Sequence, residues 1–275
     1  MKRVLLVALF VVAGAGAIGA TAWARGRLGH GARANFIQRL VAARIDDALD
    51  AAAVTPEQRQ AIHGQRDRLL ATVMDSRAER RGELQRASAL FEADRIDEEG
   101  VAELRRRGDE ARQKLGDLVT QSLLETHALL TPPQRAALVD YVRAHRPSLG
   151  AHQGRFMRRL VGSYLDDALD AAGANPAQRK RVFAAAERAH EAFQESRQGG
   201  PALLERALAL FAAERIDPAA VAGLRQELEG RRAQAQSAVE TAVREVHATL
   251  SSTQRRAAVA HLRAEIGRHH GERGE

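Results

Sequence analysis

The sequence predicts an all-α fold built as two tandem four-helix units, and three observations predict it. The first is composition. A chain of 275 residues with no cysteine, 4% aromatics and 28% charged side chains, dominated by Ala, Leu and Arg, has the profile of packed helices; sheets favour Val, Ile, Thr and aromatics. The second is self-similarity. At an offset of 120 residues "RLVAARIDDALDAA" from Arg39 meets "RLVGSYLDDALDAA" from Arg159, and "LQRASALFEADRID" from Leu84 meets "LERALALFAAERID" from Leu204. The third is a phrase used four times, "VTPEQR", "LTPPQR", "ANPAQR" and "LSSTQR", in which a short polar residue is followed three positions later by Gln and then Arg.

The repeat sets the domain plan: residues 33–146 form the first unit and 153–266 the second, with a polar tail at 267–275. Pro147 and Gly150 in "RPSLGAHQG" mark the linker. Four helices are expected in each unit. The first, from about Ala34 to Ala52, carries Ile37, Leu40, Val41, Ile45, Ala48 and Leu49 as an apolar stripe at helical spacing. The second runs from Pro56 to about Ala93. The third follows Asp97 and continues to Leu129; its twin opens on Asp217-Pro218, an N-cap with proline at the first helical position. The fourth runs from Pro132 to about Ala144. One difference between the repeats bears on the helices: Gly199-Gly200-Pro201 is expected to break or kink the second helix, and the first repeat has Glu79-Arg80-Arg81 there. With few bulky side chains the core is expected to be thin, packed along the helices rather than around one centre.

Helix-end chemistry explains the recurring phrase. Thr55, Thr131, Asn175 and Ser251 each stand where a helix must begin, and Gln58, Gln134, Gln178 and Gln254 stand three residues on. This is a capping box: the short side chain accepts from the N3 amide, and the Gln side chain reaches back to the cap's own N–H. Each cap is worth about 1 kcal/mol.

The N-terminus reads as an export segment. "MKR" precedes an apolar stretch ending Ala22-Trp23-Ala24, so residues 1–24 are a cleaved signal peptide or an uncleaved membrane anchor. The chain is then periplasmic, soluble or tethered, and touches the membrane only through that segment if it is retained. The net charge is +7, and Arg supplies 39 of the 42 basic residues. The arginines are interleaved with Asp and Glu, which together with export excludes nucleic acid as a partner.

"LTPPQR" and "LSSTQR", at the end of long-helix units in an exported, Arg-rich, cysteine-free chain, resemble the LTxxQ motif of Spy/CpxP-like periplasmic proteins. The "RID" turn before a long amphipathic helix is similar to the periplasmic heavy-metal-sensor group of that family. The resemblance covers both repeats. It implies small helical units that pair antiparallel into a curved dimer, and three roles: ATP-independent chaperoning of unfolded or misfolded envelope proteins, restraint of a sensor kinase through its periplasmic domain, and binding of zinc, nickel or cobalt. Two units in one chain depart from the usual pattern, and the expectation is a monomer in which the repeats mimic the family's dimer.

The candidate residues are few. His127 and His247 are the histidines kept in both repeats, each two residues after Glu125 or Glu245, and His269 and His270 lie near the C-terminus. These four are the metal-ligand candidates. Residues two apart point to different sides of a helix, so Glu-x-His is no chelate by itself, and ordinary interhelix histidines are the competing reading. His63 and His190 meet Phe183 and Leu70 in the alternate repeat and read as ordinary helix positions. The acidic clusters Asp46, Asp47, Asp50 and Asp166, Asp167, Asp170 read as solvated helix faces, with Arg44 spaced to pair with Asp47. With no phosphate loop, nucleophile elbow or HExxH, no catalytic residue is assigned and the chain is not read as an enzyme. A client-binding surface has apolar candidates Phe36, Met74, Phe91, Phe156, Met157 and Phe211, and basic ones Arg105, Arg106, Arg107, Arg112, Arg225, Arg231 and Arg232. Core packing and solvated faces are their alternatives. Three functions stay open: chaperone or envelope-stress accessory, metal-binding sensor, and structural helical protein with an unidentified partner.

Overall fold

A computed structural model describes residues 42–145 and 151–271, with side chains described except at 75–81, 151–160 and 266–271. Residues 1–24, the start of the first helix with Phe36, Ile37, Leu40 and Val41, the linker around Pro147, and the side chains of Phe156, Met157, His269 and His270 lie outside that description. The described residues form nine helices and no strand: α1 (42–51), α2 (Pro56–Glu92), α3 (Glu98–Leu129), α4 (Pro132–His145), α5 (Ala151–Ala171), α6 (Pro176–Gln198), α7 (Gly200–Ala212), α8 (Pro218–Thr249) and α9 (Ser252–Gly271).

The sequence signals explain where these helices start and stop. Pro56, Pro132, Pro176 and Pro218 open helices, where a missing N–H is no loss. Asp97 and Asp217 cap α3 and α8, accepting from the amides of Gly100 at 3.1 Å and Ala219 at 2.9 Å. The second repeat breaks between Gln198 and Gly200, whereas α2 runs 37 residues without interruption. At Gly199 the Arg231 guanidinium lies where a β-carbon would sit. α1 and α5 end in matching turns. Ala53 at φ 46° and Gly173 at φ 59° take the left-handed conformation. Beside them Val54 N–H donates to Leu49 O at 3.4 Å and Ala174 N–H to Leu169 O at 3.0 Å, a Schellman closure. α9 runs from Ser252 to Gly271.

Length explains the organisation. α2 would span about 55 Å at 1.5 Å per residue, while α4 has only 14 residues with which to cover its own repeat. The far ends of the long helices, with the "RID" turns, therefore find cover in the other repeat. Two compact units result, and each draws on both repeats: one comprises 42–78, 109–145 and 200–226, the other 79–108, 151–199 and 227–271 of the described residues. The two sequence repeats thus pair within a single chain as an intramolecular pseudo-dimer.

In the first unit α4 packs on α7. Its core joins Ile45, Leu49, Ile62 and Leu69 of the first repeat, Leu138, Val139 and Val142 of α4, and Leu208 and Phe211 of the second repeat. Ile45, Leu49, Ile62, Leu69, Leu208 and Phe211 are fully buried. In the second unit α5 packs on α9 and α6, and the core is thinner: Leu169, Val182 and Leu250 with Leu165, Phe183 and Val246 against them.

Candidate functional site

All four caps make both bonds of a capping box. Thr55 N–H donates to Gln58 Oε1 at 2.9 Å and Gln58 N–H to Thr55 Oγ1 at 3.3 Å. The corresponding pairs at Thr131/Gln134 are 3.1 and 3.4 Å, at Asn175/Gln178 3.0 and 2.9 Å, and at Ser251/Gln254 3.0 and 3.2 Å.

The glutamines do a second job that the linear sequence does not display. In the first unit Gln58 Nε2 donates to Gln134 Oε1 at 3.1 Å and Gln134 Nε2 returns a bond to Gln58 Oε1 at 3.0 Å. Each also reaches a carbonyl at the end of a preceding helix, Leu129 O at 2.6 Å and Ala53 O at 3.2 Å. The second unit repeats the arrangement: Gln178 and Gln254 exchange bonds of 2.9 and 3.0 Å and reach Thr249 O and Gly173 O. Each compact unit is closed by one reciprocal amide clasp that ties two helix starts to two helix ends.

The arginine after each glutamine splits into two roles. Arg59 and Arg179 bind the acidic clusters, with Asp50 and Asp170 each at 2.5 Å. Arg179 also holds Asp166, and His63 Nε2 lies 2.8 Å from Asp46. Arg135 and Arg255 are instead buried, each 4% exposed. Arg255 donates to His247 O at 2.9 Å, Leu250 O at 2.6 Å and Ala93 O at 2.6 Å. Arg135 donates to His127 O at 3.3 Å, Leu130 O at 2.7 Å and Glu214 O at 3.4 Å. A cation on the otherwise unpaired carbonyls of a helix C-terminus satisfies both their acceptor capacity and the helix dipole. The Nε of each arginine is buried without a hydrogen bond.

His127 and His247 belong to the same latch. Their Nε2 atoms lie 2.9 Å from Ala213 O and Ala93 O, the carbonyls just before the "RID" turns of the opposite repeat. A carbonyl only accepts, so Nε2 carries the proton and is engaged. Each ring meets a phenylalanine edge to face, Phe211 at 5.8 Å and Phe91 at 6.0 Å. Glu125 and Glu245 point elsewhere, to Arg68 at 3.2 Å and to Arg188.

These contacts bear on metal. Among the described residues no group of three or more His, Cys, Asp or Glu is arranged to hold an ion, and the paired histidines face backbone carbonyls and aromatic edges. The described donor set does not fit a metal centre built on His127 and His247.

Arg105, Arg106, Arg107, Arg112, Arg225 and Arg231 sit in ion pairs. Arg106 and Arg107 bind Glu103, Arg112 binds Asp109, Arg225 binds Asp117 at 2.7 Å and Arg231 binds Glu227 at 3.0 Å. In the second unit Arg105 holds Glu240 and Arg244 holds Glu98. The Arg244 hydrogen bond keeps the Glu98 carboxyl below its ordinary range. At Glu240 burial pushes the carboxyl up, but bonds from Arg105 and Gln236 outweigh it and the net shift is downward. Of the apolar candidates, Phe211 is core and Phe91 is half-buried, while Met74 is 36% exposed. More exposed are Leu84, Val161, Phe193, Val239 and Val243, which residue type alone did not single out. Comparison of the repeats position by position was the signal available for three of them.

A family model described as heavy-metal resistance matches the chain twice, over residues 3–137 and 142–257. No curated protein and no solved structure matches the chain. The family is part of the Spy/CpxP-like LTxxQ helical group and its members are typically periplasmic; among the described residues no helix is long and apolar enough to cross a membrane. Two matches that together span most of the sequence agree with the 120-residue duplication, one LTxxQ-like motif falling in each repeat at Leu130–Gln134 and Leu250–Gln254. The chain belongs to the heavy-metal resistance family, as a tandem duplication of its helical unit.

Proposed function

We propose that the protein serves heavy-metal resistance in the periplasm as an ATP-independent holder of unfolded envelope proteins, and that it does not act by chelating metal through its paired histidines. One observation carries this reading: Leu84, Val161, Val239 and Val243 are 61%, 54%, 45% and 45% exposed on long helices otherwise coated with Arg–carboxylate pairs. Aliphatic side chains exposed on a salt-bridged scaffold gain free energy when they cover apolar segments of another chain, about 25 cal/mol per Å² of apolar surface removed from water. Many such weak contacts hold an unfolded chain without nucleotide. Toxic metals damage proteins by binding their side chains, so holding the damaged chains is itself a resistance function.

Aggregation of a chemically denatured client, followed by light scattering with residues 25–275 and no nucleotide, tests the proposal. Suppression at near-stoichiometric amounts, unchanged by a chelator, is the expected result. No suppression by a folded, helical preparation refutes it. The family match itself favours a second reading, direct metal sensing, which requires a ligand set other than His127 and His247.

A further inference from the structure

The two repeats do not pack equally well, and the difference lies in one helix turn. In the first compact unit Val119 and Leu123 of α3 are partly buried against the core, and the second repeat covers that region with Leu204, Leu208 and Phe211 of α7. Leu208 and Phe211 are fully buried there. The 120-residue equivalence places Val239, Val243, Leu84, Ser88 and Phe91 at the same positions in the second unit. A serine now stands where the central leucine was, and its hydroxyl is turned back to donate to Leu84 O at 2.8 Å. Without that side chain Val239 and Val243 are 45% exposed and Leu84 is 61% exposed. Ion pairs of both signs, Arg105–Glu240 and Arg244–Glu98, border α8 alongside the valines.

Resting on the holding function proposed above, we infer that this face of the second unit, and not its counterpart in the first, is where the unfolded client docks. The intact counterpart states what the face accepts: an aliphatic side chain of leucine size set between flanking apolar contacts. The partner is therefore an apolar stretch of an unfolded polypeptide supplying the missing leucine, and the mixed-sign border lets flanking residues of either charge remain solvated. A large-to-small change at a packed position withdraws packing, so the face is open at the expense of the second unit's core. That agrees with its thinner cluster.

Site-directed photo-crosslinking on the full chain tests this. A benzophenone amino acid replaces Val239 or its twin Val119, and the probe is reduced, carboxymethylated α-lactalbumin, which stays unfolded, with its native form as control. Labelling at 239 several-fold above 119, confined to the unfolded probe and lost in Ser88→Leu, is the expected outcome. Ser88→Leu restores the residue found at the twin position, and Val243→Asp, at an exposed site, gives a second variant in case Ser88→Leu disturbs folding. Equal labelling at both positions, labelling at neither, or crosslinks only to a second copy of the chain overturns the inference. If the wild type suppresses aggregation and both variants suppress it equally well, the docking face is wrong and the holding function stands; if the wild type does not suppress aggregation, both fall.

Discussion

Replacement of Arg255 by methionine isolates the buried latch. The aliphatic stem is kept, so packing changes little, but the donors to His247 O, Leu250 O and Ala93 O are removed. Ala93 O retains its bond from His247 Nε2 at 2.9 Å, leaving two carbonyls without that donor. Hydrogen bonds involving a charged group contribute about 1.5–3 kcal/mol each. Against that stands the guanidinium itself, 4% exposed with its Nε unsatisfied, whose burial recovers about 1–3 kcal/mol when it is removed. The net expected loss is about 3 kcal/mol, a fall of about 6–12 °C in Tm for a chain of this size. Calorimetry or circular dichroism at 222 nm reads it directly. Arg256→Met is the matched control: this neighbour is exposed and paired with Asp94 at 3.4 Å, so its loss is within about 1 kcal/mol. If Arg255→Met unfolds within 1 °C of the wild type, the latch contributes nothing and the reasoning from buried carbonyls is wrong.

Gln134→Leu removes one half of an amide clasp together with a capping-box bond, and a loss of about 2 kcal/mol is expected, larger than that of Thr131→Ala in parallel denaturant titrations. Ala53→Gly relieves a left-handed alanine where the twin repeat already has Gly173, and it should raise stability by about 1 kcal/mol in the same titrations. Glu98 and Glu240 are held below their ordinary carboxyl range in the folded chain. Their contribution is therefore complete above the unfolded pKa, about 4.3, and disappears as pH falls through the lower folded value; Glu240→Gln should flatten the acid limb of a urea-midpoint profile and leave the neutral plateau pH-independent. His127→Ala and His247→Ala should lower Tm yet leave any calorimetric affinity for zinc, nickel or cobalt unchanged, because both Nε2 atoms face carbonyls.

Helix boundaries were legible because they are written in local chemistry. Pro56, Asp97, Pro132 and the Gly199-Gly200-Pro201 break each act within a turn of themselves, and the helices begin and end beside them. The 120-residue repeat, set beside a family whose units pair as dimers, made the pairing of the two repeats an expectation. What the sequence hid were relations between residues far apart along the chain. Gln58 and Gln134 are 76 positions apart, and Arg255 and Ala93 are 162; no periodicity connects them. Recurrence of His127 and His247 left a ligand and an ordinary interhelix histidine as competing readings, because a residue can recur for a carbonyl, such as those 2.9 Å from their Nε2 atoms, as readily as for a metal. The bulky candidates Phe91 and Phe211 were drawn into packing, whereas the open face consists of plain Leu and Val left uncovered by one serine. The fourfold QR repeat was the one clue to the latch, and it did not distinguish the arginines that bind aspartate from those that bind backbone.

The pairing of two repeats within one chain is tested most directly by linking them. The protein has no cysteine, so Asp94→Cys with Arg256→Cys provides the only thiol pair, at positions whose native side chains meet at 3.4 Å across the two repeats. A short bis-maleimide should close an intrachain link at all protein concentrations, with light scattering giving the mass of a single chain. Links that form only between chains, with a mass of two or more and a yield that falls on dilution, would contradict it.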